Sequence, residues 1–152
     1  MPSSSSLVTI TRPADTTAYT ANDVVGGAIS FPAIGWNGDD VIITSAALMI
    51  NIAAIPAGMT SFRAYLYNVT PPSALADNAA WDLPAGDRAA YIGYVDFGTP
   101  VDLGSTLYVQ SDGVNAQLKA ASNTVFAYLV TIGAFTPAAS TVFTATLHSL
   151  RG

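Results

Sequence analysis

Val125-Phe126-Ala127-Tyr128-Leu129-Val130-Thr131-Ile132 is the stretch whose reading decides the fold. Seven of its eight residues are apolar, so neither face is made for open water. β-branched and aromatic side chains suit a pleated surface packed on both sides. Residues 133–140 interrupt the run with Gly133 and Pro137. Beyond them Phe143, Ala145 and Leu147 alternate with Val142, Thr144 and Thr146, a period of two with one apolar face. The first run is expected to be a central strand and the second its partner, with the rest of the chain wrapped around them.

Working outward, strands are expected at residues 7–11, 23–31, 41–52, 61–69, 91–97, 106–110 and, weakly, 114–121. Arg12-Pro13 closes the first, because proline lacks the ladder N–H. The Gly26-Gly27 pair predicts a bulge or a close backbone approach in the second. Asn37-Gly38 is a turn signal. In residues 41–52, Ile42, Thr44, Ala46, Leu48, Ile50 and Ile52 share one face, and Ile43, Ser45, Ala47, Met49 and Asn51 the other. Phe62, Ala64 and Leu66 stand opposite Arg63, Tyr65 and Tyr67, which reads as a half-exposed strand bearing a tyrosine face. Ser111-Asp112-Gly113 is expected to turn the chain. Residues 73–90 are the least strand-like; Asp82 is placed to cap one or two helical turns over 84–90.

About eight strands, turn signals roughly every 8–12 residues and at most one short helix favour an all-β sandwich or barrel. A jelly-roll-like, two-sheet β-sandwich is the preferred architecture, with an immunoglobulin-like sandwich as the alternative. At 152 residues the chain reads as a flexible N-terminal arm over 1–6 followed by a single domain over 7–152.

Composition narrows the chemistry. Charged residues make up 10% of the chain and hydrophobic ones 51%, against about 25% charged in an ordinary soluble domain. No apolar run reaches the roughly 18 residues of a membrane span. Such a chain is expected to have much of its surface covered by other subunits, since interface cores are depleted in charge. The formal net charge is −5, and Arg12, Arg63, Arg88, Lys119 and Arg151 are scattered, so no basic surface suits nucleic acid. There is no cysteine and one histidine, His148, which leaves no zinc set. No Gly-x-Ser-x-Gly elbow accompanies that histidine, so no catalytic triad is expected. The carboxylates are all aspartates, nearly all of them at expected turns, where they bond the local backbone. A calcium site from Asp77, Asn78 and Asp82 is conceivable but matches no EF-hand spacing. No catalytic residue, metal or cofactor is therefore expected. Trp36, Tyr65, Tyr67 and Trp81 are the candidate contacts, for a protein partner or for stacking on sugars.

Thr11-Arg12-Pro13-Ala14-Asp15-Thr16-Thr17-Ala18-Tyr19 with Asn22-Asp23-Val24-Val25-Gly26 resembles the N-terminal signature of small structural proteins of tailed-bacteriophage virions. Asp77-Asn78-Ala79-Ala80-Trp81 with Leu83-Pro84-Ala85-Gly86-Asp87 resembles that family's middle segment, and Val130-Thr131-Ile132-Gly133-Ala134-Phe135-Thr136-Pro137-Ala138 with Val142-Phe143 its C-terminal one. One departure is Ile132, where the resemblance leads one to expect a basic residue. The resemblance implies a virion component on the outer surface of the capsid, a decoration (cement) protein or the base of a head fibre. Its expected partners are the major capsid protein and itself, as homodimer or homotrimer, with no nucleic acid and no membrane. Leu7, Val8, Ile10 and Arg12 are the expected capsid-binding arm, residues 1–12 being expected to order only on the capsid. The alternative is a carbohydrate-binding or adhesive domain on a head fibre or tail, with Trp36 and Trp81 as stacking residues.

Overall fold

The computed structural model describes residues 3–35 and 40–151. Nine strands follow in order: β1 (Ser3–Thr11), β2 (Val24–Phe31), β3 (Asp40–Ile50), β4 (Phe62–Tyr67), β5 (Tyr91–Gly98), β6 (Val101–Asp102), β7 (Leu107–Lys119), β8 (Val125–Thr131) and β9 (Val142–Arg151). They form a five-stranded sheet, β1-β9-β3-β7-β6, and a four-stranded sheet, β2-β8-β4-β5, antiparallel at every described pairing. Leaving out the two-residue β6, successive strands distribute between two facing four-stranded sheets as a jelly roll requires. The expected fold class is the observed one.

Most of the main core fills the space between the sheets. Ile43, Leu48, Ile50, Phe143 and Leu147 point in from one sheet, and Phe31, Phe62, Leu66, Val95, Phe97 and Leu129 from the other, all essentially inaccessible to solvent. Phe62 touches Phe143 at 5.8 Å and Phe135 at 6.1 Å between ring centroids, tying the layers at one end.

Several expectations are corrected. β8 and β9 are not partners. β8 lies between β2 and β4, and β9 between β1 and β3, so residues 132–141 cross from one sheet to the other. β8 is buried on both faces because Val125, Ala127 and Leu129 face the sandwich core while Tyr128 and Val130 face a second cluster outside it. The single alternation read through 41–52 is broken by a register shift between Ile43 and Ser45, which puts Ile43 on the same buried face as Ala46, Leu48 and Ile50. Ser111-Asp112-Gly113 does not turn the chain; β7 runs through it as one strand. The helix expected over 84–90 is one 3-10 turn at Ala85–Asp87, preceded by Pro84, with no side-chain cap from the exposed Asp82. Residues 3–6, expected as free arm, extend β1 and pair with β9 from Ser3↔Leu150 onward. A polar strand end needs only backbone ladder bonds, and the Ser6 hydroxyl also donates to the Pro32 carbonyl.

The Gly26-Gly27 reading agrees with the structure. The β2–β8 register shifts between Val25 and Ala28, and Gly26 has φ 81°. A Cβ at Gly26 would lie 2.1 Å from Ile10 Cγ2, so no larger residue fits without displacing the Ile10 side chain.

Candidate functional site

The outer faces of the two sheets differ. On the four-stranded sheet, Tyr65, Tyr67, Tyr128 and Val130 point outward, yet residues 68–90 fold back over them. Leu75, Trp81 and Leu83 pack on this layer. Trp81 lies flat on Tyr65, with centroids 3.6 Å apart and planes within 6°, and its indole N–H donates to the Tyr67 hydroxyl at 3.0 Å. The Tyr128 hydroxyl accepts from the Leu75 N–H and pairs with Ser73 Oγ, each at 2.9 Å. Burial pushes the Tyr67 pKa up to about 12. The half-exposed tyrosine face expected of β4 is thus a buried one: Tyr65 is 8% exposed and Tyr67 not at all. The expectation failed because period-two reading sees a strand's two faces but not a distant segment that covers one of them.

This cover is pinned by a buried ionic cluster. Arg12 is 2% exposed, and its guanidinium donates to the Tyr19 hydroxyl, to the Asp15 and Ala138 carbonyls and to Asp15 Oδ1. Asp77 Oδ2 lies 3.5 Å from Arg12 Nη2. Asp77 Oδ1 accepts from the Tyr19 hydroxyl and from the Gly26 N–H. Burial raises the Tyr19 pKa well above its ordinary value, and the bond to Asp77 adds to the rise. Asp77, once considered for calcium, is occupied by this cluster. Among the described residues no three His, Asp or Glu side chains gather as a metal site needs.

Among the described residues, nothing covers the outer face of the five-stranded sheet in this way. Register places Thr9, Thr144, Met49, Tyr108 and Val101 in one row across all five strands. Leu7, Thr146, Ala47 and Gln110 form the next. Neither row holds a formally charged side chain. Leu7, Met49 and Val101 are 56%, 46% and 55% exposed, and Leu103 just beyond is 63% exposed. A shallow groove of about 320 Å³ runs between Leu7, Met49, Tyr108 and His148. His148 is exposed in register with Ser5 and Ser45. This surface has the shape and chemistry of an interface: flat, neutral and apolar at its centre.

The residues singled out from sequence fall in different places. Of the expected arm, Ile10 is in the core and Arg12 in the ionic cluster, so neither is available to a partner. Val8 is half-buried and Leu7 is exposed on the neutral face. Trp81, Tyr65 and Tyr67 are together, but as the packed cover of the other sheet. Trp36 lies outside the described residues. Sequence reasoning missed Met49, Tyr108 and Val101 as surface groups. The available signal was the second face of residues 41–52, apolar at Ala47 and Met49 where a solvated strand would be polar.

No protein-family model matches the chain, and no curated protein matches it. Among solved structures it is similar to the capsid of Ralstonia phage GP4, at a TM-score of 0.42 and 15% identity over 99% of this chain and 83% of that one. It is similar also to the Israel acute paralysis virus pentamer (TM-score 0.28, 14% identity, 98% and 88% covered). A third likeness is to Desmodium yellow mottle tymovirus (TM-score 0.30, 14% identity, 99% and 87% covered). The jelly roll itself rests on the strand order of this chain.

Proposed function

We propose that the chain is a structural protein of a tailed-phage virion, a decoration protein that sits on the outer surface of the capsid and self-associates. The observation that carries this reading is the bare, neutral outer face of the five-stranded sheet, centred on Met49 and Tyr108. Each Å² of apolar surface that a partner covers on such a face contributes about 25 cal/mol, and no charge has to be desolvated to cover it. The three sequence blocks that resemble tailed-phage structural proteins support the same reading. The partner contacted is the major capsid protein, by area and shape rather than by chemistry. Of the residues expected in the arm, Leu7 takes part in this contact.

The test is co-sedimentation of the purified chain with capsids stripped of it, followed by cryo-microscopy of the decorated particles. The expected result is density with the five-stranded sheet turned toward the capsid, and loss of attachment in Met49→Lys. Chain that stays in the supernatant with intact capsids overturns the reading. The adhesive alternative has one specific observation, at Tyr94, which is 49% exposed beside the Arg63–Asp96 ion pair. Glycan-array binding abolished by Tyr94→Ala, with no capsid attachment, would select it.

A further inference from the structure

Among the described residues β1 ends the five-stranded sheet, and β9 satisfies only one of its sides. Two bonds fix the phase of that ladder. The Arg12 N–H donates to the Thr141 carbonyl at 3.0 Å, and the Asn51 N–H donates to the Val142 carbonyl at 3.2 Å. Backbone groups alternate sides in an antiparallel ladder. The even-numbered residues of β1 therefore bond β9, and Ser3, Ser5, Leu7, Thr9 and Thr11 aim their N–H and C=O groups off the edge.

Exposed edges invite pairing, and proteins blunt them with charge, proline, bulges or brevity. The other edges show such devices, and the length of β7 beyond β6 carries Asp112 and Lys119. β6 has two residues. β2 is interrupted by the Gly26-Gly27 register shift. β5 carries Asp96 and shifts register twice against β4. β1 has none: it runs nine residues with unbroken register and contains neither a charge nor a proline. The groove beside it, about 390 Å³ between Val8, Ile29, Thr70 and Phe126, is lined by uncharged residues as well.

We propose that β1 pairs antiparallel with β1 of a second copy across a twofold axis at Leu7, joining two five-stranded sheets into one of ten strands. The occupant follows from symmetry and charge. An antiparallel edge is complementary to itself under a twofold axis. The outward groups are symmetric about Leu7, so Ser3 meets Thr11 and Ser5 meets Thr9 of the other copy, giving about ten ladder hydrogen bonds. Each chain carries a formal −5, and two copies can approach closely only along a charge-free seam, which β1 and its groove provide. The second copy also covers the groove at Val8 and Ile29. This inference deepens the self-association proposed above and is tested without a capsid.

The experiment is sedimentation equilibrium of the full chain at micromolar concentration, with amide hydrogen exchange read at β1. Leu7→Lys sets two like charges at the axis. Thr9→Pro removes an outward N–H that the β9 ladder does not use. Wild type is expected to be a dimer with slow exchange at the Leu7 and Thr9 amides, and each variant to weaken it about tenfold or more with an unchanged far-ultraviolet circular-dichroism spectrum. If Thr9→Pro unfolds, Leu7→Lys alone decides. A monomeric wild type, a dimer that Leu7→Lys leaves intact, or fast exchange at Leu7 and Thr9 within the dimer overturns the proposal. A Thr9→Pro variant that stays dimeric but no longer binds capsids assigns the edge to the capsid protein and overturns it too. A β1-paired dimer that never binds capsids overturns the decoration reading only.

Discussion

The four-stranded sheet is roofed by the chain's own residues 68–90, while the five-stranded sheet presents Leu7, Met49, Tyr108 and Val101 to solvent. Both outer faces carry apolar side chains, and the aromatic ones gather on the roofed side. The difference is what covers them. On the roofed side, tyrosine hydroxyls find Trp81, Ser73 and the Leu75 amide, so burial leaves their polar atoms partnered. On the bare side, threonines and short apolar groups stand in rows that need no internal partner. One face is completed within the chain, and the other has the composition of a surface completed by another molecule.

The sharpest way to break this comparison is to unpin the roof. Arg12→Ala leaves Asp77 and Tyr19 without their buried cation, and removal of one member of a buried pair costs about 3–5 kcal/mol. Urea denaturation followed by tryptophan fluorescence is expected to show a loss of that order. A loss below about 1 kcal/mol would mean that the Arg12 cluster does not hold residues 68–90 in place.

Tyr128→Phe acts on the same roof with less force. The variant keeps the ring in the second cluster but leaves the Leu75 N–H without its acceptor, a cost of about 1–3 kcal/mol. The same substitution at Tyr108, on the bare face, is expected to change stability by less than about 0.5 kcal/mol. Equal losses at the two tyrosines would erase the distinction between the faces.

A pH titration sharpens it further. Tyr67 titrates near 10 in an unfolded chain and at about 12 in the folded one, because its phenol is buried under the roof. Its folded pKa is raised, so its contribution is fully present below pH about 10 and is lost as pH rises toward 12. Tyr19 is raised in the same sense. Denaturation midpoints are expected to fall across that alkaline window, and to fall less in Tyr67→Phe. A flat midpoint there would show that the tyrosines ionise as freely folded as unfolded.

These contrasts mark what was legible in the sequence. The all-β class and the two-sided burial of β8 were readable from residues 125–132, since apolar density and β-branching are local properties. The close approach at Gly26 was readable for the same reason. Sheet membership was not: β8 and β9 are neighbours in sequence, and nothing local records that residues 132–141 cross between layers. The role of Arg12 was equally hidden, because its partners Tyr19, Asp77 and Ala138 come from three separate segments. Arginine beside proline looked like a surface end to a strand. The bare face was half legible, in Ala47 and Met49, but it took the bulge after Ile43 to show which side of β3 met solvent.

The smallest expected effect on stability belongs to Met49→Lys. Met49 is 46% exposed at the centre of the bare face, and a long side chain there reaches water without displacing any core atom. The stability change is expected to stay within about 0.5 kcal/mol by urea denaturation, since nothing in the fold depends on that thioether. Its effect on assembly is expected to be large, because a charge would be desolvated at the middle of a neutral contact. Tyr94→Lys, on the opposite sheet and similarly exposed, is the matched control and is expected to leave capsid attachment unchanged. If the two variants bind capsids alike, the bare face is not the contact surface, whatever its composition. If Met49→Lys instead destabilises the isolated chain by more than about 1 kcal/mol, the face is already covered by the protein itself, and the contrast between the two sheets disappears.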